Sequence, residues 1–81
     1  MMRSDNLLPL NQLKPGTSGT IVHLNVSGQL LQRLLSMGFT RGADITLVRH
    51  APMKDPIQFK IKGTSVSLRK GDAENVLVTV N

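Results

Sequence analysis

Cysteine is absent from this 81-residue sequence, which excludes disulfide crosslinks and thiolate metal sites. Tryptophan and tyrosine are absent too, and Phe39 and Phe59 are the only phenylalanines. Proteins that bind single-stranded nucleic acid stack bases on such aromatic rings, so this class is disfavoured. No segment approaches the ~20 apolar residues that cross a bilayer, and the first residues lack the apolar core of a secretory leader. We therefore expect a small, soluble protein of the cytoplasm.

Patterns typical of catalysis and metal binding are equally scarce. The glycine-rich segment 16–19 lacks the lysine and spacing of a phosphate-binding loop. His23 and His50 fall on different predicted strands, and the five acidic residues are spread along the chain. An iron site needs several such ligands to converge. The sequence therefore predicts no catalytic residue, no cofactor and no metal site.

Apolar and polar residues alternate through most of the chain, which predicts a mainly β fold. The predicted strands span residues 20–26, 43–50, 57–62, 64–69 and 76–80. In the first of them, Val22 and Leu24 share one face and Ile21 and His23 the other. Pro9 interrupts the N-terminal leucines, so these should form only a short helical turn that packs on the domain. Residues 70–75 predict one further helical turn. Together they indicate a single domain over residues 1–81, a small five-stranded barrel with one inserted helix.

The inserted helix is predicted between Ser27, whose hydroxyl can cap the first turn, and Gly38, which can end it in a left-handed conformation. Its apolar side chains cover an arc of roughly 160°, wider than the ~100° that sealing a small barrel requires. They are Leu30, Leu31, Leu34, Leu35 and Met37. One flank, either Leu31 with Leu35 or Leu30 with Met37, is therefore a candidate partner surface. The alternative is that the barrel and the N-terminal leucines cover the whole arc.

A second candidate contact is the turn from Pro52 to Pro56. Two prolines stiffen this segment, so Met53 and Lys54 should project from a rigid tip. Methionine is adaptable and suits a contact surface. The alternative is a turn that only joins two strands.

The order of these motifs resembles the FeoA family. The matching segments are Leu10–Gly16, Arg33–Gly38, Ala51–Pro56, Gly63, Leu68–Arg69 and Asp72–Glu74. The resemblance covers residues 10–80 and departs from the family pattern at Arg41, where proline is usual, and at Lys54, where glycine is common.

The resemblance implies an SH3-like barrel and a non-catalytic accessory role in bacterial ferrous-iron uptake. The implied partner is the membrane transporter FeoB, through its cytosolic GTP-binding portion, so the protein would lie in the cytoplasm or at the inner membrane through that partner. The partner-binding residues are then predicted in the helix and the proline turn. They are Leu31, Arg33, Leu34, Leu35, Met37, Pro52, Met53, Lys54 and Pro56.

Two other functions fit parts of the sequence. The net charge of +5 would suit a nucleic-acid-binding barrel, whose phosphate contacts would be Arg33, Arg41, Arg49, Lys60 and Lys62. The chain could also correspond to the SH3-like domain of an iron-dependent repressor, although so short a chain leaves no room for a helix-turn-helix segment.

Overall fold

The computed structural model of the chain describes residues 7–50, without the side chain of His50, and residues 55–80. Six strands, two α-helices and one 3₁₀ turn account for most of them. In chain order they are β1 (Leu7–Pro9), the 3₁₀ turn (Leu10–Gln12), β2 (Ser18–Leu24), α1 (Gly28–Ser36), β3 (Asp44–His50), β4 (Ile57–Ile61), β5 (Thr64–Leu68), α2 (Lys70–Ala73) and β6 (Val76–Val80).

The strands form one antiparallel sheet in the order β1-β6-β2-β3-β4-β5. All five predicted strands and both helical turns are present, so the prediction of a mainly β fold is confirmed. The strand count was one too low, because β1 has only three residues and ends at Pro9, which cannot donate a backbone hydrogen bond. Within the described residues β1 and β5 are the sheet edges, so the sheet of this small barrel is not closed.

Two β-bulges change which side chains face inward. In β2 the pairing with β6 shifts between Ile21 and His23. A bulge inserts one extra residue and reverses the alternation beyond it. Ile21 is therefore buried, Val22 and His23 are both exposed, and Leu24 turns back toward the core. The predicted grouping of Val22 with Leu24 on one face is wrong for this reason. A second bulge, between Leu47 and Arg49 of β3, leaves Arg49 exposed beside Val48, although regular alternation would turn Arg49 inward.

The core lies between the sheet, α1, α2 and the 3₁₀ turn. Its buried residues are Leu10, Leu13, Ile21, Leu34, Phe39, Ala43, Ile45, Leu47, Ile57, Phe59, Ile61, Leu68, Ala73, Val76 and Val78. Strands β3, β4 and β6 contribute alternate residues to it, β2 contributes Ile21, β5 contributes Leu68 and α1 contributes Leu34. None of the described polar or charged residues is buried, so hydrophobic packing accounts for the interior.

Helix α1 ends as the sequence predicts. Gly38 has φ of +98°, and two backbone bonds close the last turn: Phe39 N–H donates to Leu34 O at 2.9 Å and Gly38 N–H to Leu35 O at 3.1 Å. This pair of bonds is a Schellman motif. It turns the chain so that Phe39 enters the core. At the other end Ser27 is the N-cap residue, but its side chain makes no capping hydrogen bond, contrary to the prediction.

Candidate partner-binding surface

The apolar side chains of α1 divide into a buried centre, a covered flank and an uncovered flank. Leu34 is 0% exposed, so it belongs to the core and its predicted contact with a partner is wrong. Leu30 and Met37 are partly buried and pack against the core. Leu35 is 41% exposed and Leu31 is half-buried. The flank formed by Leu31 and Leu35 is therefore the one that remains available.

Leu31 also lines a shallow groove between α1, β2 and the loop that leads into β3. The groove has a volume of about 190 Å³ and is lined by His23, Leu24, Leu31 and Arg41. The bulge in β2 explains its composition, because it turns Leu24 inward and places His23 at the surface. Sequence reasoning missed His23 and Leu24 as parts of this surface, since the β-bulge in β2 leaves no mark in the residue pattern. It also missed Arg41, because the loop of Arg41 meets β2 only through tertiary hydrogen bonds.

The loop carrying Arg41 is fixed to β2 by backbone hydrogen bonds. Gly42 N–H donates to Ile21 O at 2.7 Å, and Ile21 N–H donates to Ala43 O at 2.9 Å. Gly42 has φ of +89°, a conformation that glycine adopts without steric cost. The side chain of Arg41 is exposed and makes no hydrogen bond or ion pair with any described residue.

Arg33 is exposed but stands apart from the Leu31–Leu35 flank. It is two residues from each of these leucines, which corresponds to about 160° around a helix. The structure thus does not bring Arg33 together with them, and Arg33 lies beside Met37 on the other side of α1.

Most of the predicted proline turn falls outside the described residues, including Pro52, Met53 and Lys54. Pro56 is described and exposed. Beside it, Asp55 connects the base of the turn to α2, because Lys70 N–H donates to Asp55 Oδ1 at 2.9 Å. Arg69 lies 3.6 Å from the other carboxylate oxygen. Asp55 therefore caps the start of α2, whose own N-cap residue, Arg69, supplies no side-chain cap.

The five cations proposed as phosphate contacts are distributed over several segments. Arg33 lies on α1, Arg41 precedes β3, Arg49 and Lys60 lie on β3 and β4, and Lys62 is in the turn between β4 and β5. All of them are exposed. The Arg49 Nε–H donates to Gln58 Oε1 at 3.2 Å. The structure therefore shows accessible cations but no single strip that holds all five.

Among residues 7–50 and 55–80, no three His, Asp or Glu side chains are close enough to hold a metal ion together. His23 and His50 lie on different strands, as predicted. In the same part of the chain, no helix is both long and apolar enough to cross a membrane. The two described α-helices are separated by three strands, so these residues form no helix-turn-helix.

A family model for the FeoA domain matches residues 8–80. The chain belongs to the FeoA domain family. The likeness to solved FeoA structures confirms the SH3-like fold that the resemblance implied, with the six-stranded open sheet described above.

Two curated relatives of this FeoA domain have different lengths. The chain is 39% identical over 69 residues to an Fe(2+) transport protein A/Fe(2+) transporter FeoB fusion protein of Porphyromonas gingivalis. The match covers 85% of the chain but only 8% of that relative. The chain is also 30% identical to a putative Fe(2+) transport protein A of Campylobacter jejuni, and this match covers 90% of the chain and 99% of that protein.

The solved structures agree with the fold of this FeoA domain. The solution structure of iron(II) transport protein A from Clostridium thermocellum superposes with a TM-score of 0.87 and is 41% identical in sequence. The superposition covers 90% of this chain and 45% of that one.

Proposed function

We propose that this FeoA domain is a non-catalytic accessory protein of ferrous-iron uptake that acts by binding the cytosolic GTP-binding portion of a FeoB transporter. The observation that carries the proposal is the P. gingivalis relative, in which one chain contains both an A part and the FeoB transporter. Fusion gives two domains a high effective concentration for each other. Where the two domains are separate chains, a binding surface is needed to bring them together.

The uncovered flank of α1 supports this mode of action. Leu35 is 41% exposed and adjoins Leu31, which lines the groove beside β2. A few residues near the centre of an interface supply most of its binding free energy, and full burial of one leucine side chain contributes about 1.5–3 kcal/mol. The protein would thus lie in the cytoplasm and reach the inner membrane only through its transporter. The Pro52–Pro56 turn remains a second proposed contact.

The test is the affinity of the chain for the purified cytosolic portion of the FeoB transporter of the same organism, with and without nucleotide. We expect Leu35→Gln to weaken binding about tenfold, because it replaces an interface leucine with a residue that keeps the helix. The matched control is Val48→Thr, since Val48 is 43% exposed but lies on β3.

Each variant should retain the circular dichroism spectrum of the original chain. Unchanged affinity of the Leu31 and Leu35 variants, together with unchanged affinity of Met53 and Lys54 variants, would reject both proposed surfaces. Absence of any binding by the unmodified chain would reject the proposed function.

Nucleic-acid binding remains a second proposal, because five exposed cations form no ion pair with a described residue. A titration with duplex DNA and with RNA at 50 and 200 mM salt separates the two proposals. Affinity that is high and falls steeply with salt would support nucleic acid as the partner.

A further inference from the structure

We infer that the groove lined by His23, Leu24, Leu31 and Arg41 receives a transporter segment in which an aspartate or glutamate stands beside an apolar residue. This inference rests on the proposed function and specifies the chemistry of the partner. The apolar side chain would pack on Leu24 and Leu31, and the carboxylate would meet Arg41 at the rim.

The size and lining of the groove indicate one side chain as its occupant. Its volume of about 190 Å³ is below the ~300–1,000 Å³ of sites that enclose small molecules. Leu24 and Leu31 form its apolar part, and Leu35 lies on the same flank of α1. A phosphate backbone would leave these leucines uncovered, whereas an amphipathic protein segment would bury them. The lining therefore favours a protein segment over nucleic acid.

The charge of the groove is positive and is not neutralised by the described part of the chain. Arg41 forms no ion pair there. Of the described acids, Asp44 accepts a hydrogen bond from Thr20 and Asp55 caps α2. Asp72 and Glu74 lie within or directly after α2. An acidic partner residue would supply the charge that the groove lacks, and complementary charge of this kind favours the correct partner.

Arg41 is also held in a defined place. The two backbone bonds that join Ile21 to Gly42 and Ala43 fix the residues on its C-terminal side against β2. A partner carboxylate would therefore meet a cation whose backbone is already ordered, which lowers the entropic cost of binding.

The experiment compares Arg41→Gln with Lys60→Gln and measures the affinity of each for the purified cytosolic portion of the FeoB transporter. Both variants remove one exposed positive charge, but Lys60 lies on β4, which β3 separates from β2, and it does not line the groove. We expect Arg41→Gln to weaken binding about fivefold at low salt, the upper range for an exposed ion pair. The loss should shrink at higher salt because ions screen the pair. Lys60→Gln should change the affinity less than twofold.

A photo-crosslinking amino acid at position 35 identifies the segment that is bound. The crosslinked transporter peptide should contain an aspartate or glutamate within a few residues of an apolar side chain. Equal effects of Arg41→Gln and Lys60→Gln, or a captured peptide without a carboxylate, would overturn the inference while leaving the proposed function intact. Failure of the unmodified chain to bind would overturn both.

Discussion

Replacing Leu34 and Leu35 separately by alanine should have very different effects on stability, although the two residues are neighbours on α1. Leu34 is 0% exposed and Leu35 is 41% exposed. Leu34→Ala removes about three buried carbon groups at ~0.8 kcal/mol each and leaves a cavity that adds to the cost. We therefore expect a loss of about 3 kcal/mol in the free energy of unfolding. Leu35→Ala should cost about 1 kcal/mol or less, because alanine favours the helix and less apolar surface is uncovered.

These losses are large relative to the stability of so short a chain. At typical values per residue, the free energy of unfolding of a domain of 81 residues is roughly 4–12 kcal/mol. A loss of about 3 kcal/mol should lower Tm by roughly 12–24 °C. Urea unfolding followed by circular dichroism measures both variants, and an unchanged m-value would show that the comparison is valid.

Equal losses of stability in Leu35→Ala and Leu34→Ala would contradict the expected difference. That result would mean that the flank of Leu31 and Leu35 is covered within the domain, and the candidate surface would then be lost as well.

Further substitutions at three positions test the packing around the sheet and the start of α2. Gly19→Ala should lower the free energy of unfolding by about 1–3 kcal/mol, because a Cβ at position 19 would lie 2.7 Å from the Thr79 carbonyl oxygen. A Cβ at position 71 would meet no atom within 4 Å, so Gly71→Ala should be neutral or stabilising in thermal melts. Asp55→Ala should cost about 1 kcal/mol by removing the acceptor for Lys70 N–H, and Asp55→Asn should retain most of that stability. Similar urea midpoints for the alanine and asparagine variants would contradict the capping role of Asp55.

The sequence was sufficient to locate α1 and most of the strands. The helical spacing from Leu30 to Met37 and the glycine at position 38 carry local information, and the Schellman motif formed at Gly38 uses only that information. The strand β1 could not be found in this way. Its three residues are too few to show a period, and they become a strand only by pairing with β6.

The candidate surface was only partly predictable, for a related reason. The apolar arc of α1 is wider than the barrel requires, which indicated that one flank of the helix stays uncovered. The width of the arc does not distinguish between the two flanks. Which flank is covered depends on tertiary packing, in which Leu30 and Met37 contact the core. The groove depends in addition on the bulge in β2, which moves His23 outward and Leu24 inward.

Arg41 shows how a departure from the family pattern can be interpreted. A proline at this position would leave the loop without a charge, whereas arginine adds a cation at the rim of the groove. The backbone bonds of this loop involve Gly42 and Ala43, so they do not depend on the side chain at position 41. The departure therefore alters the surface charge and leaves the turn formed.

Chemical-shift mapping tests the central claim, that α1 is the contact with the transporter, most directly. The ¹⁵N-labelled chain would be titrated with the purified cytosolic portion of the FeoB transporter. We predict that the largest shift changes or line broadening fall on Leu31, Leu35 and Arg41, with much smaller effects on Thr64–Leu68 of β5. Changes confined to β5, or no changes at saturating concentration of the transporter domain, would contradict it.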